Sequence, residues 1–278
     1  MKKIEKAQLF LQNHLDVFQC PVCHSPFKEI TDFQLSCQEN HHFDLSKKGT
    51  LHFLLKPVQS DYTKEMLLSR QRIAHSGFWY PMLDEVFKQI KTTEGVHLDV
   101  GCGEGAHSHY LKTRGLNGLT IAFDISKEGI QLGAATYDDL FFLVADLAQS
   151  PFSEQSFDTI INILSPSNYK EFKRLLKPVG QVIKVVPGKN YLKELREVSG
   201  KDSREYSNTE VIRKFAEVFP DYTHIPVHYT HTLEDDEIRD FIQMTPLGWH
   251  AEWNENMKKQ LKRITIDMVI LVGQTSHW

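Results

Sequence analysis

"VHLDVGCGEG", residues 96–105, is the stretch that decides the fold. Val96, Leu98 and Val100 form a buried-strand pattern, and the glycines of Asp99-x-Gly101-x-Gly103-x-Gly105 follow immediately. Glycines at such a junction allow a tight turn and let the backbone approach a ligand closely, at the start of a helix expected over about 106–114. Two common nucleotide cradles are excluded. A dinucleotide fingerprint needs G-x-G-x-x-G to seat a pyrophosphate, whereas the last gap here is one residue, and the Gly-Lys-Ser/Thr of a Walker loop is absent.

Working outward, the strand-then-helix alternation continues. "LTIAFDIS" is a second strand ending at Asp124, about twenty residues on, where an acid can accept both hydroxyls of a ribose. "LFFLVADLAQSPF" is a third, ending at Asp146; "FDTIINILSP" is a fourth, and "LLKPVGQVIKVVPG" is a helix, turn and fifth strand. "THIPVHYTHTL" and "RITIDMVILVG" supply the last two strands, expected as an antiparallel edge pair around a helix near 234–257. One acid at a strand end is usually a helix cap or a solvated loop residue, but three at successive strand ends point to a ligand.

The loop resembles motif I of the class I, seven-stranded, Rossmann-like S-adenosylmethionine-dependent methyltransferases. That resemblance implies that Asp99 and the backbone of Gly101, Gly103 and Gly105 hold the methionine part of the cofactor, with Asp146 near the adenine amino group. Such chemistry needs no metal, because the sulfonium already makes the methyl electrophilic and the protein mainly aligns the reactants. Cys102 is accordingly read as a small packed residue of the loop.

A second pattern lies upstream: C-x2-C-x13-C-x3-H, made by Cys20, Cys23, Cys37 and His41. A two-residue gap lets one turn aim two thiolates at an ion, and "EITDFQLSC" is a short hairpin, turning near Thr31-Asp32, that returns the second pair. Three sulfurs and an imidazole suit tetrahedral Zn2+, one per chain, and with every position filled by protein the role is structural. The competing reading, redox or merely buried cysteines, lacks support because this CxxC does not open a helix after a strand. Spacing alone leaves His41 and His42 both open as the fourth ligand, and His24 is a polar neighbour.

Composition bounds the rest. The 278 residues, 41% of them apolar, carry a net charge of −4, which argues against a general polyanion binder. Residues 1–78 have ten Lys and Arg against eight Asp and Glu, and the remainder 22 against 28, so any nucleic-acid contact is expected toward the N-terminal part. The apolar runs fall well short of the ~20 residues of a membrane span. No signal-peptide pattern is recognisable, so the protein is expected to be cytoplasmic.

Taken together, "CPVC", "CQENHHFDLSKKGTLHFLLKPVQ", "LDVGCGEG", "DISK" and "IQMTPLGWHA" resemble the bacterial 23S rRNA (guanine-N1)-methyltransferases, the large-subunit rRNA methyltransferase A family, from about residue 18 onward. The resemblance implies methyl transfer to N1 of a guanine in a hairpin loop of 23S rRNA, a zinc module serving rRNA recognition, and a homodimer. It places the fourth zinc ligand at His41, the residue before "HFD", and assigns cofactor contact to Trp79, Gly103, Glu104 and Tyr191. Residues 1–17 lie outside the pattern.

From these readings follow a zinc-binding module at 16–60, a helical linker at 61–90 and a methyltransferase domain at 91–278. Guanine N1 carries a proton and pairs, so the base must be looped out and the proton removed. Asn162 and Pro166, in the loop after strand four, are candidates for the guanine pocket, while Ser167 or Asn168 is better explained as a helix cap. Arg70 and Arg72 followed by Phe78, Trp79 and Tyr80 could track phosphates and stack bases, or could simply pack as a linker helix. Lys47 and Lys48 are further phosphate candidates. Two other functions fit the motifs: a small-molecule methyltransferase with the zinc module as lid, and a binding protein with a vestigial cofactor site.

Overall fold

The computed structural model describes residues 1–58, 62–199, 207–245, 248 and 255–275. The chain opens with α1 (Lys3–Asn13), then β1 (Phe27–Thr31), β2 (Gln34–Cys37), β3 (His42–Asp44) and β4 (Leu51–His52). Helices α2 (Lys64–His75) and α3 (Tyr80–Gln89) lead into β5 (Val96–Val100), α4 (Ala106–Thr113), β6 (Leu119–Asp124), α5 (Lys127–Thr136), β7 (Phe141–Val144) and β8 (Phe157–Ile163). There follow α6 (Tyr169–Leu175), β9 (Leu176–Pro187), α7 (Lys193–Val198), α8 (Thr209–Val218), β10 (Thr223–Thr232), α9 (Glu237–Gln243), α10 (Glu255–Gln260) and β11 (Arg263–Gln274).

β1, β2 and β3 form a small antiparallel sheet, and the others form one of eight strands in the order β10-β11-β9-β8-β5-β6-β7-β4. Seven of the eight are the strands expected from sequence, the last two as an antiparallel pair at one edge. The eighth is an addition from outside the seven-stranded domain: β4, from the cysteine-bearing segment, pairs parallel with the edge of β7, Leu51 facing Leu143 and His52 facing Val144. β11 runs antiparallel to both β9 and β10. Edge strand β10 tolerates Pro226 because a residue without an N–H fits there.

Both faces of the central strands are covered, so side chains alternate between two cores. Leu98, Val100, Ile121, Phe123 and Val182 pack into one; Ala122, Ile161, Ile183 and Ile270 into the other. Helix starts are set by side-chain caps: Thr63 Oγ1 accepts from Met66 N at 3.3 Å, Ser126 Oγ from Gly129 N at 3.1 Å, and Asn168 Oδ1 from Glu171 N at 3.1 Å. Asn168 is thus the cap that begins α6.

Residues 1–17, unassigned from sequence, contribute α1. It buries Ala7 and Leu11, stacks Phe10 on Phe141 with centroids 4.2 Å apart, and ties Lys3 to Asp138 at 2.7 Å. The β1–β2 turn falls one residue later than expected, on Asp32 and Phe33, both left-handed with φ of 50° and 65°, the hand that matches strand twist in a two-residue hairpin. The single helix expected near 234–257 is α9 followed by α10. Pro246, Leu247, Trp249, His250 and Ala251 of "IQMTPLGWHA" lie outside the described residues.

The basic and aromatic stretch of α2 and α3 is mainly packing. Phe78 and Trp79 are buried, Tyr80 stacks on Tyr110 at 4.0 Å, and Arg72 pairs with Asp240 at 2.5 Å, joining α2 to α9. Phe78 and Trp79 therefore follow the packing alternative, while Tyr80 is half-buried and Arg72, though ion-paired, stays exposed.

Candidate active site and metal centre

Cys20, Cys23, Cys37 and His41 bring their ligand atoms within 4.8 Å of one another. Cys23 Sγ lies 3.7 Å from Cys37 Sγ, and His41 Nδ1 lies 3.6 Å from Cys20 Sγ and 3.5 Å from Cys37 Sγ. A tetrahedron with metal–sulfur bonds of about 2.3 Å has edges of about 3.8 Å, so these donors fit zinc before any ion is added. Burial pushes the Cys20 thiol up to about 11, so a thiolate there calls for a cation. Local backbone sets the aim: His24 and Asn40 are left-handed, and the His41 N–H donates to Cys37 Sγ at 3.3 Å. His42 is exposed and bonds to Ser36 Oγ at 2.8 Å, outside the cluster.

The second site lies at the C-terminal ends of β5, β6, β7 and β8, the usual place for ligands in an open α/β sheet. Gly101 and Gly103 have φ of +73° and +59°, a region that favours glycine. A Cβ on Gly101 would stand 1.8 Å from Ser165 Oγ, whereas one on Gly103 would meet only Arg70 Nε at 3.9 Å, so Gly103 faces open space. The loop is pinned by bonds from Gly101 N and Cys102 N to Phe123 O, at 2.9 and 3.1 Å.

Asp124 accepts from Gly103 N and Ser126 N, both at 2.8 Å, and Asp146 accepts from Ala148 N at 2.8 Å. Both carboxylates line a cleft of about 350 Å³, with Gly101, Gly103, Arg70 and Pro166. That is the lower end of the usual range for small-ligand pockets.

Five of the residues assigned to the cofactor do not line this cleft: Trp79, Asp99, Glu104, Gly105 and Tyr191. Asp99 sits behind the loop, 3% exposed, accepting from Ser108 Oγ at 2.6 Å; it fastens α4 to β5, and burial pushes its carboxyl up to about 7. Gly105 gives room to the Phe142 ring, which a Cβ would approach to 2.7 Å. Burial raises the Glu104 carboxyl, and its Oε2 makes no hydrogen bond, with Arg70 Nε 3.7 Å away. Trp79 lies beneath the Arg70 guanidinium, 5.6 Å from ring centroid to Cζ, and burial pushes the hydroxyl of neighbouring Tyr191 up to about 12. Burial raises the Cys102 thiol well above its usual value, in keeping with a packed residue.

The acceptor loop also corrects the sequence reading. Pro166 lines the cleft, but Asn162 is fully buried, with its side chain bonded to Val100 O, Pro166 O, Ser167 Oγ and Lys184 Nζ. Sequence reasoning also missed Tyr62, Leu67 and Arg70 as cleft walls. Leu67 and Arg70 are three apart on α2 and therefore share a face. Arg70 makes no hydrogen bond among the described residues, so its donors are available to an anionic group in the cleft.

Comparison with known proteins matches both parts of the chain. The family described as "Methyltransferase domain" matches residues 98–184, and the zinc ribbon described as "RlmA, N-terminal" matches 18–64. The chain is 38% identical over 272 residues to YxjB of Bacillus subtilis, assigned by name to the 23S rRNA (guanine-N1)-methyltransferases, covering 92% of this chain and 96% of that one. It is 23% identical to the 23S rRNA (guanine(748)-N(1))-methyltransferase of Streptomyces fradiae, covering 88% and 90%. Among solved structures, the YcgJ protein of Bacillus subtilis shares the fold, with a TM-score of 0.51 and 17% identity over 72% of this chain and all of that one.

Proposed function

The chain belongs to the 23S rRNA (guanine-N1)-methyltransferase family, and we propose that it transfers a methyl group from S-adenosylmethionine to N1 of a guanine in a hairpin loop of 23S rRNA. The observation that carries this reading is the placement of the Asp124–Gly103 cleft and the Cys3His cluster in one continuous structure, joined where β4 pairs with β7. When bound, the cofactor supplies a methyl group already activated on a sulfonium. The residues present fit it: Asp124 for the ribose hydroxyls, Asp146 for the adenine amino group, open backbone at Gly103, and Arg70, whose one ion-pair contact is Glu104 at 3.7 Å, for the methionine carboxylate. Cys20, Cys23, Cys37 and His41 hold a structural Zn2+.

Residues 16–60 serve as the recognition module, 61–90 as the helical linker and 91–278 as the catalytic domain. Lys47 and Lys48, exposed on the module, are its candidate phosphate contacts. A lid role for the zinc module is disfavoured, because β4 is hydrogen-bonded into the sheet and the cleft is walled by α2 instead. The acceptor base enters beside Ser165 and Pro166, opposite the glycine loop. The protein works in the cytoplasm as a homodimer. No helix among the described residues is long and apolar enough to cross a membrane.

Primer extension on rRNA from cells with and without the protein tests the substrate. N1-methylguanine cannot pair, so the protein must produce a new stop at one loop guanine; extension that runs through identically in both samples refutes the assignment.

A further inference from the structure

Lys184 stands in the middle of "QVIKVVPG", an otherwise apolar run of β9, a strand hydrogen-bonded on both sides. It is only 3% exposed, between the fully buried Ile183 and Val185. An ammonium in such a place is normally matched by a carboxylate, because removing it from water is expensive. Among the described residues no carboxylate pairs with it. Its Nζ donates instead to Asn162 Oδ1 at 2.6 Å and to Ser165 O at 2.9 Å. Burial lowers the amine to about 8.

Both acceptors belong to the segment where β8 gives way to the acceptor loop. Asn162 is the register partner of Lys184 across the parallel pair. Its Nδ2 donates to Val100 O at 3.0 Å, the last residue before the glycine loop, and to Pro166 O at 3.1 Å, while its Oδ1 also accepts from Ser167 Oγ. The carbonyls of Ser165 and Pro166 are therefore both fixed from below by buried donors. The loop needs such support: Leu164 is left-handed at φ +53°, a conformation that costs a non-glycine residue about 1 kcal/mol or more. Ser165 and Pro166 in turn line the cleft, and Ser165 fills the space that a side chain at position 101 would occupy.

We propose that Lys184 is a positioning residue for methyl transfer: acting through Asn162 and the Ser165 carbonyl, it holds residues 164–167 as a rigid lip against which the acceptor base is aligned. This rests on the reading that the loop receives a guanine. Lys184 does not line the cleft, so it touches neither cofactor nor base, and its loss leaves binding of the cofactor intact while loosening the acceptor.

The test is Lys184→Met, close in length and apolar, studied in the full zinc-loaded chain. Three quantities are measured: affinity for S-adenosylmethionine by calorimetry, kcat and KM on an rRNA hairpin with cofactor saturating, and the thermal midpoint. Misplacement of reacting groups by about 1 Å can cost about 100-fold. The expected result is a kcat lower by about 10- to 100-fold, with cofactor affinity within about twofold and KM changed less than kcat. Lys184→Met/Asn162→Leu should lose no more kcat than the worse single variant, since the two residues act as one unit. A folded Lys184→Met with unchanged kcat overturns the proposal, and so does a loss of cofactor affinity that matches the loss of kcat. Should Lys184→Met not fold, Lys184→Gln is judged by the same criteria. Absence of N1-methylguanine from the wild-type reaction would instead refute the guanine reading itself.

Discussion

Arg70→Met offers the sharpest check on the cofactor cleft. The Arg70 side chain is 23% exposed, lies over Trp79 and lines the cleft beside the open face of Gly103, yet among the described residues it makes no hydrogen bond. A guanidinium kept dry on one side by an indole, with Glu104 3.7 Å from its Nε and no hydrogen bond made, is suited to a ligand carboxylate. A hydrogen bond to a charged group contributes about 1.5–3 kcal/mol, which at about 1.4 kcal/mol per decade is a 10- to 100-fold change in affinity. Removing Arg70 also takes from Glu104 the cation that opposes the upward push of burial on its carboxyl, so the thermal midpoint of the variant is measured alongside. The discriminating measurement is calorimetric titration of wild type and variant with S-adenosylmethionine and with its decarboxylated form. Arg70→Met should weaken the first by about 10- to 100-fold and leave the second within about threefold. Equal losses for both ligands would mean that Arg70 only shapes the cleft, and no loss for either would refute the reasoning.

The other predictions concern the metal and the buried acid. His41→Ala should lower zinc in protein purified without chelator well below one equivalent per chain, while His42→Ala, which loses only the Ser36 bond, should stay near one; metal analysis reversing that order would move the fourth ligand to His42. Asp99→Asn keeps an acceptor for Ser108 but removes a carboxyl whose folded value, about 7, lies above the ~3.9 of an unfolded chain. Between those values the unfolded chain has released a proton that the folded one retains, so wild-type stability contains a term that falls as pH rises through the window. The thermal midpoint of Asp99→Asn should therefore gain on that of wild type between pH 4 and 7 and hold its lead above; a constant difference would show that Asp99 is ionised in the fold.

What the sequence conveyed well was what depends on spacing along the chain. Gly101, Gly103 and Asp124 come together because a strand end, a tight turn and the neighbouring strand end are adjacent by topology, and Cys20, Cys23 and Cys37 because a hairpin returns them. What it could not convey was side-chain direction. Asp99 and His97 share one face of β5, opposite Leu98 and Val100, and that face meets Ser108 of α4 rather than the cleft. Spacing left two histidines; strand register separates them, because His42 is drawn into β3 opposite Ser36 while His41 stays in the turn with its N–H on Cys37 Sγ. For Arg70 the sequence leaves RNA contact and linker packing both open, because nothing local distinguishes a lysine- or arginine-bearing helix that faces solvent from one laid over a glycine loop.

The junction at β4 ties the two sites together through one sheet. β7 would otherwise be an exposed sheet edge, with unpaired N–H and C=O groups open to any strand. Leu51 and His52 cover it, and Phe53 N continues the pairing to Val144 O at 2.8 Å. Val144 is two residues before Asp146, so the strand that carries this cleft-lining carboxylate is held on its outer side by the segment that leaves the Cys3His module. α1 clamps the same edge at its other end, through Phe10 on Phe141 and Lys3 on Asp138. A module fastened at both ends of β7 cannot swing over the cleft; it can only present a fixed surface beside it. That is the requirement for a recognition element that must set one base of a folded RNA at a defined distance from a methyl donor.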